Sequence, residues 1–226
     1  MPYPKSDRSV IARLKRFLAP QVAELVEVVG RQGLLDSRRA EVSVVFCDLR
    51  GFTAFSSGVG PDEVIGLLGE YYGALGAIIM RHEATLTCFM SGGLMLLLNA
   101  PLPCPDPPIR AVRMALDMQG AVQALIARWR ARGHAIGFGV GVATGVAIVG
   151  RIGYEGRIDY TAIGSVVNLA SRICSAARDS QVLIDRCTAA VAAADPTIDV
   201  EDVGAWPMKG FSEPEPVFAA KRPAGV

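Results

Sequence analysis

Apolar residues recur along this chain with two different periods, and the switches between them mark out its elements. Across residues 8–29, Ile11, Leu14, Leu18, Val22, Leu25 and Val29 follow three- and four-residue spacing, which places them on one face of a helix. Pro20 interrupts the run and is predicted to open a second, short helix at its first turn; Gly30 and Gly33 end it. Two turns on each side of a proline make a poor coiled coil, so a docking or linker helix is expected. The β-branched apolar run Glu41–Asp48 (EVSVVFCD) then reads as a central strand, with Asp48 at its end. Arg50-Gly51-Phe52-Thr53 breaks it as a turn. Pro61 opens a helix through about Arg81, with Val64, Leu67, Leu68, Tyr71, Tyr72, Leu75 and Ile78 on its buried face.

Thr85–Met90 and Leu94–Leu98 are predicted strands, joined by a tight turn at Ser91-Gly92-Gly93. A proline-rich loop, Pro101–Pro108, leads into a long helix ending near Arg132, with Val112, Leu116, Val122, Leu125 and Trp129 inward. Ile136–Ala143 and Val146–Val149 are read as a hairpin across Thr144-Gly145. Shorter elements follow: a strand at Ile158–Thr161, a helix at Ser165–Ala177, a strand at Val182–Ile184, a helix at Thr188–Ala194, and strands near Asp199–Val203 and Val217–Ala219. The order β-α-β-β-α-β over residues 41–143 is a ferredoxin-like plan, an antiparallel sheet with helices on one face. An added αβ unit lies behind it, giving an α+β fold. A helical lead or linker over 1–36, one domain over 37–220 and a tail over 221–226 are expected.

Composition narrows the class. Hydrophobic residues are 51% and charged residues 20% of the 226, enough apolar material for a packed core and against disorder. A formal net charge of +1 implies no general attraction to nucleic acid or anionic lipid. The basic clusters at Arg13–Arg16 and Arg128–Arg132 read as solvated helix faces. Five cysteines, Cys47, Cys88, Cys104, Cys174 and Cys187, include no pair at CxxC or zinc-ligand spacing. They are expected as reduced thiols in a cytosolic setting, with Cys47, Cys88 and Cys174 acting as small hydrophobes. Residues 1–16 lack the apolar core of a signal peptide. The longest uncharged run, Ala135–Gly150, is too short and glycine-rich for a spanning helix, so no membrane insertion by this chain is expected. Its glycines 137, 139 and 141 alternate with no helix after them, which speaks against a dinucleotide loop and for close approach of a helix or a partner chain.

Two segments carry chemistry. Asp48 ends an apolar strand, where a carboxylate is costly unless it is paired or binds a cation. The turn that follows can expose backbone N–H groups to phosphate; the alternative is an Asp that caps this turn. In Tyr160–Arg172 (YTAIGSVVNLASR), Gly164-Ser165 breaks a strand into a helix with Ser165 as a plausible N-cap. Asn168 and Arg172, at i and i+4, share one face. Arginine suits developing phosphoryl charge; the alternative is a solvated helix with two polar residues.

Taken together, FCDLRGFT, a hairpin leading into LMLLLNAP, YTAIGSVVNLASR and MKGF resemble the class III nucleotidyl cyclases, in order and spacing over roughly residues 40–220. The resemblance implies attack of the 3′-hydroxyl of ATP, or alternatively GTP, on the α-phosphate with loss of pyrophosphate. It implies Mg²⁺ or Mn²⁺ in a two-metal site at a head-to-tail dimer interface, either a homodimer or a heterodimer with another cyclase domain. One chain would give the metal carboxylates and the other the Asn/Arg pair. Asp48 matches the first metal ligand. Leu49, Arg50, Gly51, Phe52 and Thr53 match the phosphate turn. Asn168 would orient the ribose and Arg172 would meet the reacting phosphate. Lys209 would reach the distal phosphates, and Thr161 falls where the family places a base-reading residue. Two positions depart from the pattern: Gly92 stands where the second metal Asp belongs, and Cys88 where a base-reading lysine belongs. The resemblance therefore points to impaired turnover, with an inactive nucleotide-binding or regulatory module, or a complementary subunit, as the alternatives.

Overall fold

The computed structural model describes residues 15–27 and 32–223. The predicted helix over 8–14 and its end at Gly30 lie outside them. Within them, Lys15–Phe17 is a single 3₁₀ turn and α1 runs Pro20–Glu27, opened by the proline as expected. Eight strands form one sheet: β1 Arg38–Arg50, β2 Thr85–Phe89, β3 Gly93–Leu98, β4 Gly137–Tyr154, β5 Arg157–Ile163, β6 Gln181–Asp185, β7 Asp199–Trp206 and β8 Glu215–Lys221. Their order is β2-β3-β1-β4-β6-β8-β7, with β5 hairpinned onto the end of β4. The first four are the ferredoxin-like half, and β6 joins β4 in parallel as the added unit.

β1 explains its own composition. Val45, Cys47 and Leu49 face one core, with α2 (Phe52–Gly58), α3 (Pro61–Arg81), α4 (Pro107–Ala131) and α6 (Arg186–Ala192) over them. Val42, Val44 and Phe46 face a second core on the opposite side of the sheet. A strand buried on both faces reads as a continuous apolar run. The ferredoxin-like α+β plan therefore holds, but helices do not keep to one face: α1 and α5 (Ser165–Ala176) cover the other. The predicted inward residues of α4 are all buried. Of those in α3, Leu67, Tyr71, Leu75 and Ile78 are buried, and Val64, Leu68 and Tyr72 pack at the margin. By length and composition α3 could cross a membrane; here one side of it forms part of the first core.

Two expectations are corrected. The reversal at Thr144-Gly145 does not occur. β4 continues through both residues, and its ladder with β1 runs unbroken from Arg38↔Val149 to Arg50↔Gly137. The Thr144 hydroxyl bonds to Ser43 at 2.8 Å and to Thr188 at 2.9 Å, all three buried. That network holds the polar residue inside the sheet instead of in a turn. The reversal falls at Glu155-Gly156, where Gly156 takes φ +105°, a conformation glycine adopts without penalty. The stretch after Gly51 is also no simple turn, because it begins α2.

The alternating glycines of β4 do what their spacing implied. A Cβ at Gly141 would lie 2.6 Å from the Ala170 carbonyl oxygen, and one at Gly137 would lie 2.7 Å from Asp179. α5 and the loop after it rest directly on bare backbone.

Candidate active site

Asp48 lies two residues before the end of β1, paired with Gly93 on β3. Its side chain is 38% exposed, and Arg50 Nη1 stands 3.4 Å away. Burial pushes its carboxyl above the usual range, and the Arg50 charge and the Leu49 N–H only partly offset this. A carboxylate short of positive charge suits a cation. Arg50 is mostly committed elsewhere: Nη2 donates to the Cys174 carbonyl at 2.6 Å near the end of α5. The guanidinium lies over Gly139, where a Cβ would come within 2.8 Å of it.

The turn after Asp48 has separate parts. Leu49 is buried and its N–H donates to the Gly92 carbonyl at 2.9 Å, so that N–H is already engaged. Gly51 takes φ +77° and opens α2; a side chain there would collide with the Ala135 carbonyl. Phe52 is buried and Thr53 is exposed. What this stretch offers a phosphate is the N–H groups of the first turn of α2, which have no intrahelical acceptor.

Gly92 closes the β2–β3 hairpin at φ +90°, with Met90 and Gly93 exchanging backbone hydrogen bonds on either side. Its Cα faces the Phe52 ring: a Cβ there would fall 2.9 Å from Phe52 Cγ. The volume where a second carboxylate would begin is filled by an aromatic side chain. Other acids are engaged away from the turn, Glu63 with His134 at 2.8 Å and Glu83 with Arg110 at 2.5 Å. No cluster of three or more His, Cys, Asp or Glu side chains occurs among the described residues. The donor set fits one hard cation shared with ligand phosphates, an arrangement common for Mg²⁺. It does not fit a pair.

The second group of residues lies on α5 and the β7–β8 connection. The cap of α5 is Gly164 in extended backbone with no side-chain bond, so Ser165 is the first helical residue and not the predicted N-cap. Asn168 and Arg172 are both exposed on α5, and no hydrogen bond or ion pair engages either side chain among the described residues. Lys209 is exposed between Met208 and Gly210. Met208 packs in one cluster with Ile173 and Ala177, and Leu169 and Phe211 close its margin. That packing fixes the lysine's loop against the helix carrying Asn168 and Arg172. Among the described residues no bond joins the side chains of Asn168, Arg172 or Lys209 to Asp48; only Arg50 bridges from Asp48 to the Cys174 carbonyl of α5.

Thr161 pairs with Gly150 on the outward face of the β4–β5 ribbon. Ile148 and Ile163, cross-strand partners on the same face, are 49% and 55% exposed, and Val146 and Tyr154 extend the apolar strip. Cys88 is exposed on β2 beside a β-bulge and is not the buried hydrophobe expected; Cys47 and Cys174 are. Burial pushes the Cys47 thiol up to about 12 and the Cys174 thiol up to about 11, so both are inert. His82 and His134 have carboxylate partners in Asp117 and Glu63, each at 2.8 Å. The Phe52–Gly92 contact is the feature that sequence reasoning missed, since nothing in either segment signals the other.

Comparison with known proteins bears on the family and the fold. Adenylate cyclase 1 of Rhizobium meliloti is 31% identical over 175 residues, covering 77% of this chain and 26% of that protein. The adenylate cyclase of Anabaena cylindrica is 29% identical over 74% of this chain. The chain thus spans about a quarter to a third of the length of these curated relatives. The crystal structure of the adenylyl cyclase CyaB from P. aeruginosa superimposes with a TM-score of 0.78 at 30% identity, over 84% of this chain and 97% of that one. The guanylyl cyclase Cya2 gives 0.74, also at 30% identity, over 84% and 98%. With residues 35–220 matching the adenylate and guanylate cyclase catalytic domain, the chain belongs to that family, the class III nucleotidyl cyclases.

Proposed function

We propose that this chain binds a nucleoside triphosphate, ATP in preference to GTP, at a head-to-tail dimer interface, and that its homodimer forms 3′,5′-cyclic nucleotide and pyrophosphate only slowly. One observation carries the second half of the proposal: Gly92, at φ +90° against the Phe52 ring, leaves Asp48 without a second carboxylate. Bound Mg²⁺ or Mn²⁺ would supply charge to the phosphates and lower the pKa of the attacking hydroxyl. The chain's own residues would do the rest. Asp48 and the first-turn N–H groups of α2 would position the phosphates. From the other chain, Asn168 would hold the ribose, Arg172 would meet charge developing on the α-phosphate, and Lys209 would meet the distal phosphates. A loss of about 4 kcal/mol of transition-state stabilisation corresponds to about a thousandfold in rate. ATP is favoured because Thr161 holds a base-reading position and the curated relatives compared above are adenylate cyclases.

A second function is supported by Asn168, Arg172 and Lys209, which are exposed and have no side-chain hydrogen bond or ion pair among the described residues. The chain would lend this half to a cyclase domain with intact metal carboxylates. The test is cyclase assay of the purified chain with ATP or GTP and Mn²⁺, alone and mixed with a related cyclase domain whose own Asn and Arg have been replaced by alanine. The expected result is weak activity alone and at least a hundredfold more on mixing, lost with Arg172→Ala in this chain. Homodimer turnover comparable to that of an intact cyclase overturns the impaired-site proposal. No gain on mixing overturns the complementary one.

A further inference from the structure

A pronounced concavity lies away from Asp48. A groove of about 1090 Å³ runs between α1, β2 and β5. Its walls are mainly apolar, with Phe17, Val22, Leu86, Phe89 and Ile158 prominent, and Asp48, Asn168, Arg172 and Lys209 do not line it. Phe89 and Ile158 are 61% and 54% exposed. At its wall sits Tyr160, 7% exposed, whose hydroxyl is buried and has no hydrogen-bond partner among the described residues. A buried phenol normally finds a partner, and leaving one unmade costs desolvation with nothing in return.

The surroundings say what the missing partner should be. Burial pushes the Tyr160 phenol up to about 12, with the nearby Arg38 charge acting in the opposite direction. The group is therefore a protonated donor at neutral pH. Arg38 itself keeps a buried Nε without a partner, while its Nη2 donates to the Pro101 carbonyl at 3.4 Å. Two unmade donors and a guanidinium charge lie behind the apolar groove. Gln21, on α1, keeps an unpartnered Oε1 among the described residues, while its Nε2 donates to the Ala84 carbonyl at 3.1 Å. At the rim, Lys15 pairs with Glu27, Arg151 with Asp36 and Arg157 with Asp159. Arg16 has no ion pair among the described residues.

We propose that this groove is a binding site for an amphiphilic carboxylate, with the apolar chain or ring along Leu86, Phe89 and Ile158 and the head accepting from the Tyr160 hydroxyl beside Arg38. A site of this size with an apolar lining and few polar groups is of the ordinary small-molecule kind. Cys88, at the position matched to a base-reading lysine, also lines the groove, whereas Asp48, Asn168, Arg172 and Lys209 do not, and the proposed binding does not depend on turnover. Because α1 forms one wall, occupancy would also hold α1 against β2.

The experiment is calorimetric titration of the full chain with decanoate, and separately with decylamine, which has the same chain and the opposite head. Decanoate should bind saturably at one site per chain and decylamine should not. Tyr160→Phe removes a hydroxyl that has no hydrogen-bond partner among the described residues, so the variant should fold at least as stably and bind decanoate about tenfold more weakly, the equivalent of one hydrogen bond. Ile158→Asp, at an exposed position, should abolish binding with the melting temperature unchanged. Equal binding of the two probes, or unchanged affinity in Tyr160→Phe, overturns the proposal, as does absence of decanoate binding.

Discussion

Replacing Gly92 with aspartate would test the proposed function by adding a carboxylate near Asp48, and the structure sets a stability cost on it. Gly92 takes φ +90°, where a side chain costs about 1–2 kcal/mol. Its Cβ would also fall 2.9 Å from Phe52 Cγ, 3.0 Å from Cδ1 and 3.2 Å from Cβ. These atoms are the root of the ring and not a flexible end, and the ring is buried against Phe55 at a centroid distance of 6.1 Å. Pushing Phe52 off its rotamer adds about 0.5–1.5 kcal/mol. Together the cost is about 2–3 kcal/mol. For a domain of this size that is a fall in melting temperature of about 5–10 °C, readable by calorimetry. A double-mutant cycle isolates the cause. Phe52→Leu should destabilise the parent more than it destabilises the Gly92→Asp variant, with a coupling of about 1 kcal/mol. Gly92→Asp melting within about 2 °C of the parent, or strict additivity with Phe52→Leu, would refute this account of the turn.

Three other outcomes follow from the same coordinates. Asp48→Asn should raise the melting temperature at neutral pH: the carboxyl's folded pKa lies above its ordinary 3.8 through burial, so its ionised form opposes folding and the gain should vanish as pH falls below that ordinary value; a variant less stable than the parent at pH 7 contradicts it. Gly141→Ala drives a methyl into the Ala170 carbonyl and the Cys174 backbone, and should cost more than 3 kcal/mol by urea unfolding, with α5 displaced and Arg50 losing its carbonyl acceptor. Thr144→Val keeps the shape of the side chain but strands the Ser43 and Thr188 hydroxyls; we expect a loss of about 1–3 kcal/mol, and stability equal to the parent's would show that the buried network contributes nothing.

What could be read in the sequence, and what could not, divides along a physical line. β1 was legible because burial on both faces demands the unbroken apolar run that it has. The glycines at 137, 139 and 141 were legible because three missing side chains on one strand face leave room that something must fill, and α5, the loop after it and the Arg50 guanidinium fill it. Thr144-Gly145 was misread because a polar residue next to glycine looks like a turn until its partners, Ser43 and Thr188, are known. Those partners come from distant parts of the chain. α2 was hidden for a related reason: its seven residues are too few to show a period, and only Phe52 and Phe55 enter the core.

The same limit applies with most consequence at Gly92. Read alone, it is one missing carboxylate, which a single substitution could restore. Read against Phe52, it is half of a packed pair, since the ring occupies the space that any side chain at 92 would enter first. Asp48 keeps a raised carboxyl pKa and only a 3.4 Å approach from Arg50, so the turn retains an appetite for positive charge without the means to hold two ions. Asn168, Arg172 and Lys209 stand exposed, with their elements anchored by Ile173 and Met208. On the proposed function, a half with a single carboxylate packed against Phe52 and a half with exposed Asn168, Arg172 and Lys209 make the asymmetry that a complementary subunit requires. On the proposed function, it follows that turnover involving this chain draws chiefly on another chain's carboxylates, and that Arg172→Ala should harm a mixed dimer far more than Asp48→Ala does.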